Sequence, residues 1–191
     1  MTFPVSEFKE RLARTKERMG LAGVDVLLVS NPANMNYLTG YDAWSFYVHQ
    51  LLVVTIDEEQ PLWIGREQDA SAAKLTTWLD QTNIIPYTDD YVQSTTKHPM
   101  DFVCDVLTMK KLAHRVIGVE MDAYYFTARN YAQLMNGLPN ARFKDVTHLV
   151  NWVRIIKSDR EIECIQRAAK IAEKAMGVAV DAPHVGVRQC D

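Results

Sequence analysis

Two apolar runs, residues 24–30 (V-D-V-L-L-V-S) and 51–56 (L-L-V-V-T-I), most constrain how this chain can fold. Each is short, rich in β-branched side chains and bounded by turn residues, which is the pattern of a buried strand. Between them lie residues 31–50, N-P-A-N-M-N-Y-L-T-G-Y-D-A-W-S-F-Y-V-H-Q. That connection carries Tyr37, Tyr41, Trp44, Phe46 and Tyr47, with Asp42 and His49 among them. It is too short to bury so many rings within itself. Strand ends that deliver aromatic and ionisable side chains together are common places for binding sites.

The rest of the chain supplies cover for these strands. Ser6 is positioned to cap a first helix, with Phe8, Leu12, Thr15 and Met19 on one face and Gly20 and Gly23 at its end. Asn31-Pro32 forces a turn, and Met35 to Leu38 fit one short helical turn. Asp57-Glu58-Glu59 is a polar turn, so 51–56 and 61–65 (P-L-W-I-G) form an antiparallel hairpin. Helical spacing returns over 66–80, then Asn83-Ile-Ile-Pro-Tyr87 reads as an edge strand because of its proline. After a polar loop at 88–98, Pro99 opens a helix; 115–121 is a strand, 127–137 a helix, 141–146 a strand and 147–156 a short helix. Roughly six strands with interleaved helices predict an α/β fold, a mixed sheet with helices on both faces. The early hairpin excludes an all-parallel sheet.

A boundary falls near residue 157, giving domains of 1–156 and 157–191. Ser158-Asp-Arg-Glu161 is a capping box that starts a long helix. Ile162, Ile165, Ala168, Ala169, Ala172, Ala175, Met176 and Ala179 form its apolar stripe. Either this stripe folds back on the first domain or its partner surface lies outside the chain, and the second is expected.

At 191 residues and a net charge of −3 the composition is that of an ordinary globular protein, mildly acidic. Nucleic acid and anionic membrane are therefore not the expected partners. No stretch has the length and apolarity of a signal peptide or a bilayer span. Cys104, Cys164 and Cys190 are odd in number and widely spaced, so a disulfide framework is not expected and a cytoplasmic location is.

Catalytic chemistry has little support. The histidines at 49, 98, 114, 148 and 184 show no metal-ligand spacing, and no G-x-S-x-G elbow or phosphate-binding glycine loop occurs. Glu58-Glu59 and Asp89-Asp90 read as solvated turn residues with ordinary titration. Glu120 and Asp122 follow a strand, and their simplest roles are a surface glutamate and a helix-capping aspartate. In the aromatic stretch, Tyr41, Trp44 and Tyr47 offer ring faces to a cation, Asp42 offers charge, and His49 a hydrogen bond to a ligand carboxylate or carbonyl.

Three segments resemble the creatinase/aminopeptidase P/prolidase family: V-D-V-L-L-V-S-N-P-A-N-M-N-Y-L-T-G-Y from Val24, G-V-E-M-D from Gly118, and R-I-I-K-S-D-R-E-I-E-C-I-Q-R-A-A-K-I-A from Arg154. The D-A-W-S-F-Y-V-H-Q that follows the first is similar to the ectoine hydrolase branch. The resemblance implies a ribonuclease-H-like N-terminal domain, followed by the first helix of a "pita-bread" catalytic domain. In metal-dependent members two Asp, one His and two Glu from that second domain bind a metal pair, and other members work without metal. The expectation is therefore a truncated, non-catalytic piece with no cofactor of its own, from a homodimeric hydrolase. The resemblance implies substrate contacts at Asp42, Trp44, Tyr47 and His49, and a small zwitterionic substrate such as ectoine. The same family leaves open an Xaa-Pro peptidase, and the residues alone leave open a stand-alone interaction domain.

Overall fold

Residues 3–188 are described by a computed structural model; Cys190 lies outside them. β1 (Val26–Val29) is buried at every position, so both of its faces need cover. It pairs antiparallel with β2 (Leu51–Thr55) on one side, Val26 opposite Thr55, and parallel with β5 (Val116–Val119) on the other. β3 (Leu62–Arg66) completes the hairpin with β2, and β4 (Ile84–Tyr87) and β6 (Arg142–Asp145) form the two edges. The order is β4-β3-β2-β1-β5-β6, the mixed six-stranded sheet expected from the sequence.

Alternation along β1 divides the core. Leu27 and Val29 point to one face, where they meet α1 (Val5–Ala22), α2 (Pro32–Thr39), α3 (Glu67–Thr76) and α6 (Leu149–Arg154). Val26 and Leu28 point to the other, covered by α4 (Pro99–Met109) and α5 (Ala128–Gly137). The parallel pairs β3–β4 and β5–β6 are each joined through a helix, α3 and α5 respectively, because a parallel connection must carry the chain back along the sheet.

One local reading needs correction. Pro4, not Ser6, occupies the N-cap of α1, and Ser6 lies within the first turn. On the same helix Arg11, despite its charge, is only 2% exposed. Its guanidinium pairs with Glu7 at 2.8 Å, donates to the Tyr37 carbonyl at 3.2 Å and lies 4.1 Å from the Phe3 ring centroid. A planar guanidinium stacks on rings while its edge hydrogen-bonds, which is how this charge is accommodated inside.

The chain divides into two compact units between Arg154 and Ile155. The second contains α7 (Asp159–Asp181), whose capping box is formed as read: Ser158 Oγ accepts from Glu161 N, and Glu161 Oε2 accepts from Ser158 N. No residue of α7 is buried. Among the described residues, no helix is long and apolar enough to cross a membrane.

Gly118 in β5 has a steric reason to lack a side chain. A Cβ there would lie 2.6 Å from a Val146 methyl and 2.9 Å from a Val24 methyl, both on stiff β-branched residues. Gly118→Ala is expected to lower the unfolding free energy in urea by about 1–3 kcal/mol. Adding Val146→Ala should restore part of that loss.

Candidate functional site

β1, β3, β4, β5 and β6 all end at one edge of the sheet, and β2 begins there. At this edge the chain leaves β1 to one side and β5 to the other, which opens a crevice between their carboxyl ends. Here the crevice is filled from within by Glu120, which is 4% exposed and not the surface residue its charge suggested. Oε2 accepts hydrogen bonds from Ser30 N at 2.8 Å and Asn31 N at 2.9 Å, and Oε1 accepts from Asn34 Nδ2 at 2.6 Å. Asn34 also donates to Asn151 Oδ1 at 2.9 Å and accepts from Arg154 Nη1 at 2.7 Å. Burial pushes the Glu120 carboxyl above the ordinary glutamate range, while its N–H donors and the Arg154 charge pull against that shift.

This network holds the start of α2, where Asn31 caps the first turn through Ala33 N. α2 ends at Gly40, whose φ of +80° lies in the left-handed region. From there residues 41–50 run as a strap across the sheet edge. Its first end is fixed by Tyr41, buried against Trp63 with ring centroids 5.5 Å apart, and by Asn36 Nδ2 donating to the Tyr41 carbonyl. Its second end is fixed by buried Val48, by the Tyr87 hydroxyl donating to the His49 carbonyl, and by Gln50 Nε2 donating to Asp69 at 2.8 Å. Between these anchors Trp44, Phe46 and Tyr47 stand 59%, 77% and 56% exposed. Trp44 meets Tyr125 edge-on at 6.0 Å between centroids, and Phe46 packs on Tyr47 at 5.4 Å.

Beneath the strap is a hollow of about 120 Å³ whose lining includes Ser30, Met35, Tyr47, His49, Tyr125 and Asn130. His49 Nδ1 lies 3.1 Å from the Tyr125 carbonyl. Asn130 Nδ2 lies 3.1 Å from the same nitrogen; the carbonyl calls for a proton on Nδ1 and the amide for a lone pair there, so these two contacts hold the ring in place without fixing its tautomer. Nε2 is shut off from solvent and, among the described residues, has no hydrogen-bond partner, and the same holds for the hydroxyl of buried Ser30. Burial lowers the His49 pKa to about 4, so the ring is neutral at physiological pH. With Nδ1 engaged by Tyr125 and Asn130, Nε2 is the ring nitrogen left for a ligand.

The four residues singled out from the sequence are not all brought together. Tyr47 and His49 line this hollow, and Trp44 joins it through Tyr125. Asp42 lines a different surface depression with Phe3, Phe8, Asn36, Gly40, Leu75 and Thr76. The acidic turns also differ from expectation: Glu59, Asp89 and Asp90 pair with Lys9, Arg66 and Lys97, which holds each carboxyl below its usual range. Cys104 is a core thiol pushed up to about 12 by burial, which makes it a poor nucleophile. Among the described residues, no three His, Cys, Asp or Glu side chains converge to hold a metal. Ser30, Asn34, Tyr125 and Asn130 carried no sequence signal, because their roles come from long-range contacts.

Residues 11–156 match the Creatinase/Prolidase N-terminal domain, and the chain belongs to that family. Among curated proteins it is 49% identical over 189 residues to the "Uncharacterized hydrolase/peptidase y4tM" of Sinorhizobium fredii, covering 99% of this chain and 48% of that protein. It is 46% identical over 172 residues to the ectoine hydrolase of Halomonas elongata, covering 90% of this chain and 43% of that one. The chain thus spans about half the length of these curated relatives. An Xaa-Pro dipeptidase from Bacillus anthracis shares the fold with a TM-score of 0.73 at 20% identity, over 96% of this chain and 46% of that one. The N-terminal domain of the peptidase PepQ from Mycobacterium tuberculosis superposes with a TM-score of 0.57 at 16% identity, over 75% of this chain and 98% of that one.

Two outcomes test this geometry. Glu120→Ala strands buried N–H groups at Ser30, Asn31 and Asn34, and should cost about 3 kcal/mol or more in urea unfolding. His49 binds a proton in the unfolded chain below about 6.5 but in the folded one only near 4. Its contribution to stability is thus complete above 6.5 and is lost as pH falls through that window. The urea midpoint of the wild type should drop more between pH 7 and pH 5 than that of His49→Gln.

Proposed function

We propose that this chain is the non-catalytic N-terminal half of a hydrolase acting on C–N bonds other than ordinary peptides, with ectoine the preferred substrate. The observation that carries the reading is the hollow itself: exposed rings stand beside a neutral imidazole nitrogen and a serine hydroxyl, neither of which has a partner among the described residues. A buried polar group without a partner is costly, and a ligand group that hydrogen-bonds to it removes that cost. Ectoine is a small zwitterion with a delocalised amidinium. Its polar groups match the His49 nitrogen, and its flat cation matches the faces of Trp44 and Tyr47.

In this reading residues 157–191 begin the catalytic domain, which adds water to the cyclic amidine and opens it to an N-acetylated diaminobutyrate. The N-terminal domain selects the substrate within a homodimer, through Trp44, Tyr47 and His49. The 46% identity to an ectoine hydrolase supports this reading over an Xaa-Pro dipeptidase, since the likeness to the solved dipeptidase concerns the fold alone.

The full-length enzyme should turn over ectoine. Trp44→Ala should raise KM by roughly 3- to 30-fold, the equivalent of one lost cation–π contact, with a smaller effect on kcat. A folded full-length protein that leaves ectoine intact would rule out this substrate.

A further inference from the structure

Asn130 lies in the first turn of α5, is only 5% exposed, and lines the hollow beneath the strap together with His49. One end of its amide is 3.3 Å from the Tyr125 carbonyl, and the other is 3.1 Å from Thr127 Oγ1. A carbonyl only accepts, so the end facing Tyr125 is the N–H end. Thr127 caps α5: its Oγ1 accepts from Asn130 N at 3.3 Å and keeps its own proton for Asn130 Oδ1. The amide is thus held from both ends, with Nδ2 between the Tyr125 oxygen and His49 Nδ1, the latter 3.1 Å away. His49 Nδ1 consequently has a partner in either neutral form of the ring. Protonated, it donates to the Tyr125 carbonyl; unprotonated, it accepts from Asn130.

We infer that Asn130 is a positioning residue for His49: its amide supports the ring form that carries the proton on Nε2, so His49 meets a substrate as a donor as well as an acceptor. Without that amide, an unprotonated Nδ1 would face only the Tyr125 oxygen, lone pair against lone pair, and a buried acceptor would go unpaired. The ring would then be confined to the form protonated on Nδ1. A zwitterion carries both N–H donors and carboxylate oxygens, and a contact that works in both senses suits it. The part Asn130 plays in substrate selection rests on the reading above, in which His49 touches the substrate, whereas its hold on the ring proton does not.

The test uses the full-length protein labelled with ¹⁵N in histidine, the His49 signals being identified by their loss in His49→Gln. Long-range ¹H–¹⁵N correlation near neutral pH reads which ring nitrogen carries the proton. The wild type should show a measurable share of the form protonated on Nε2. Asn130→Asp keeps an acceptor for the Thr127 hydroxyl and suits a first helical turn, so it preserves the fold while removing the N–H groups. It should move the ring to the form protonated on Nδ1, and Asn130→Ala should do the same. Asn130→Ala should also raise KM for ectoine by about three-fold or more, as for one lost hydrogen bond, with less effect on kcat. A wild-type ring protonated on Nδ1 alone, or a ring proton unmoved by both substitutions, would overturn the role of Asn130. An unchanged KM in Asn130→Ala beside an active wild type would overturn its part in selection. A wild type inert toward ectoine would instead remove the proposed substrate, and the ring measurement would still decide this inference.

Discussion

Everything at the functional edge depends on one buried carboxylate. Glu120 takes two main-chain N–H groups from the end of β1 and a side-chain amide from α2, and through Asn34 it is linked to Arg154 at the end of α6. Taking a carboxylate out of water is expensive, and only a full set of donors makes it tolerable. Because the donors belong to β1 and α2 while the acceptor belongs to β5, the pairing sets the exit angle of the chain from the central strand. The crevice at the strand ends, where an open α/β sheet commonly receives a ligand, is sealed by the protein's own side chain. Ligand space is displaced outward, under the strap.

The strap walls that space with aromatic rings. Two buried anchors, Tyr41 and Val48, bracket a segment whose rings have nowhere inside to go. Exposed aromatic side chains at this density mark a surface that something else is meant to cover. His49 gives the surface a direction. Nδ1 is engaged by Tyr125 and Asn130, so Nε2 is the nitrogen left over, and its low basicity keeps the ring neutral through the physiological range. A cation does not meet a competing positive charge from this ring.

Much of the scaffold was legible in the sequence, for identifiable reasons. β1 and the β2–β3 hairpin are short apolar runs flanked by Asn-Pro and Asp-Glu-Glu, and the α7 capping box is a local pattern complete within four residues. The site was only half legible. Trp44, Tyr47 and His49 could be singled out because they are clustered between strands, but the placement of Asp42 depends on how Gly40 turns the chain. Glu120 was misread because charge predicts exposure, whereas its burial rests on a partner far away in sequence, Ser30. The seating of His49 likewise depends on Tyr125, seventy-six residues on.

Membership in the creatinase/prolidase family supplies the context for such an edge, since the curated relatives are about twice as long as this chain. The central claim is that this domain contributes an aromatic wall and a hydrogen-bonding nitrogen to a substrate that another domain transforms. The most direct measurement is a crystal structure of the full-length protein with ectoine bound. The account predicts a polar atom of the ligand within hydrogen-bond distance of His49 Nε2, with the ligand cation against Trp44 or Tyr47. A ligand bound with all three of these side chains out of contact would contradict it.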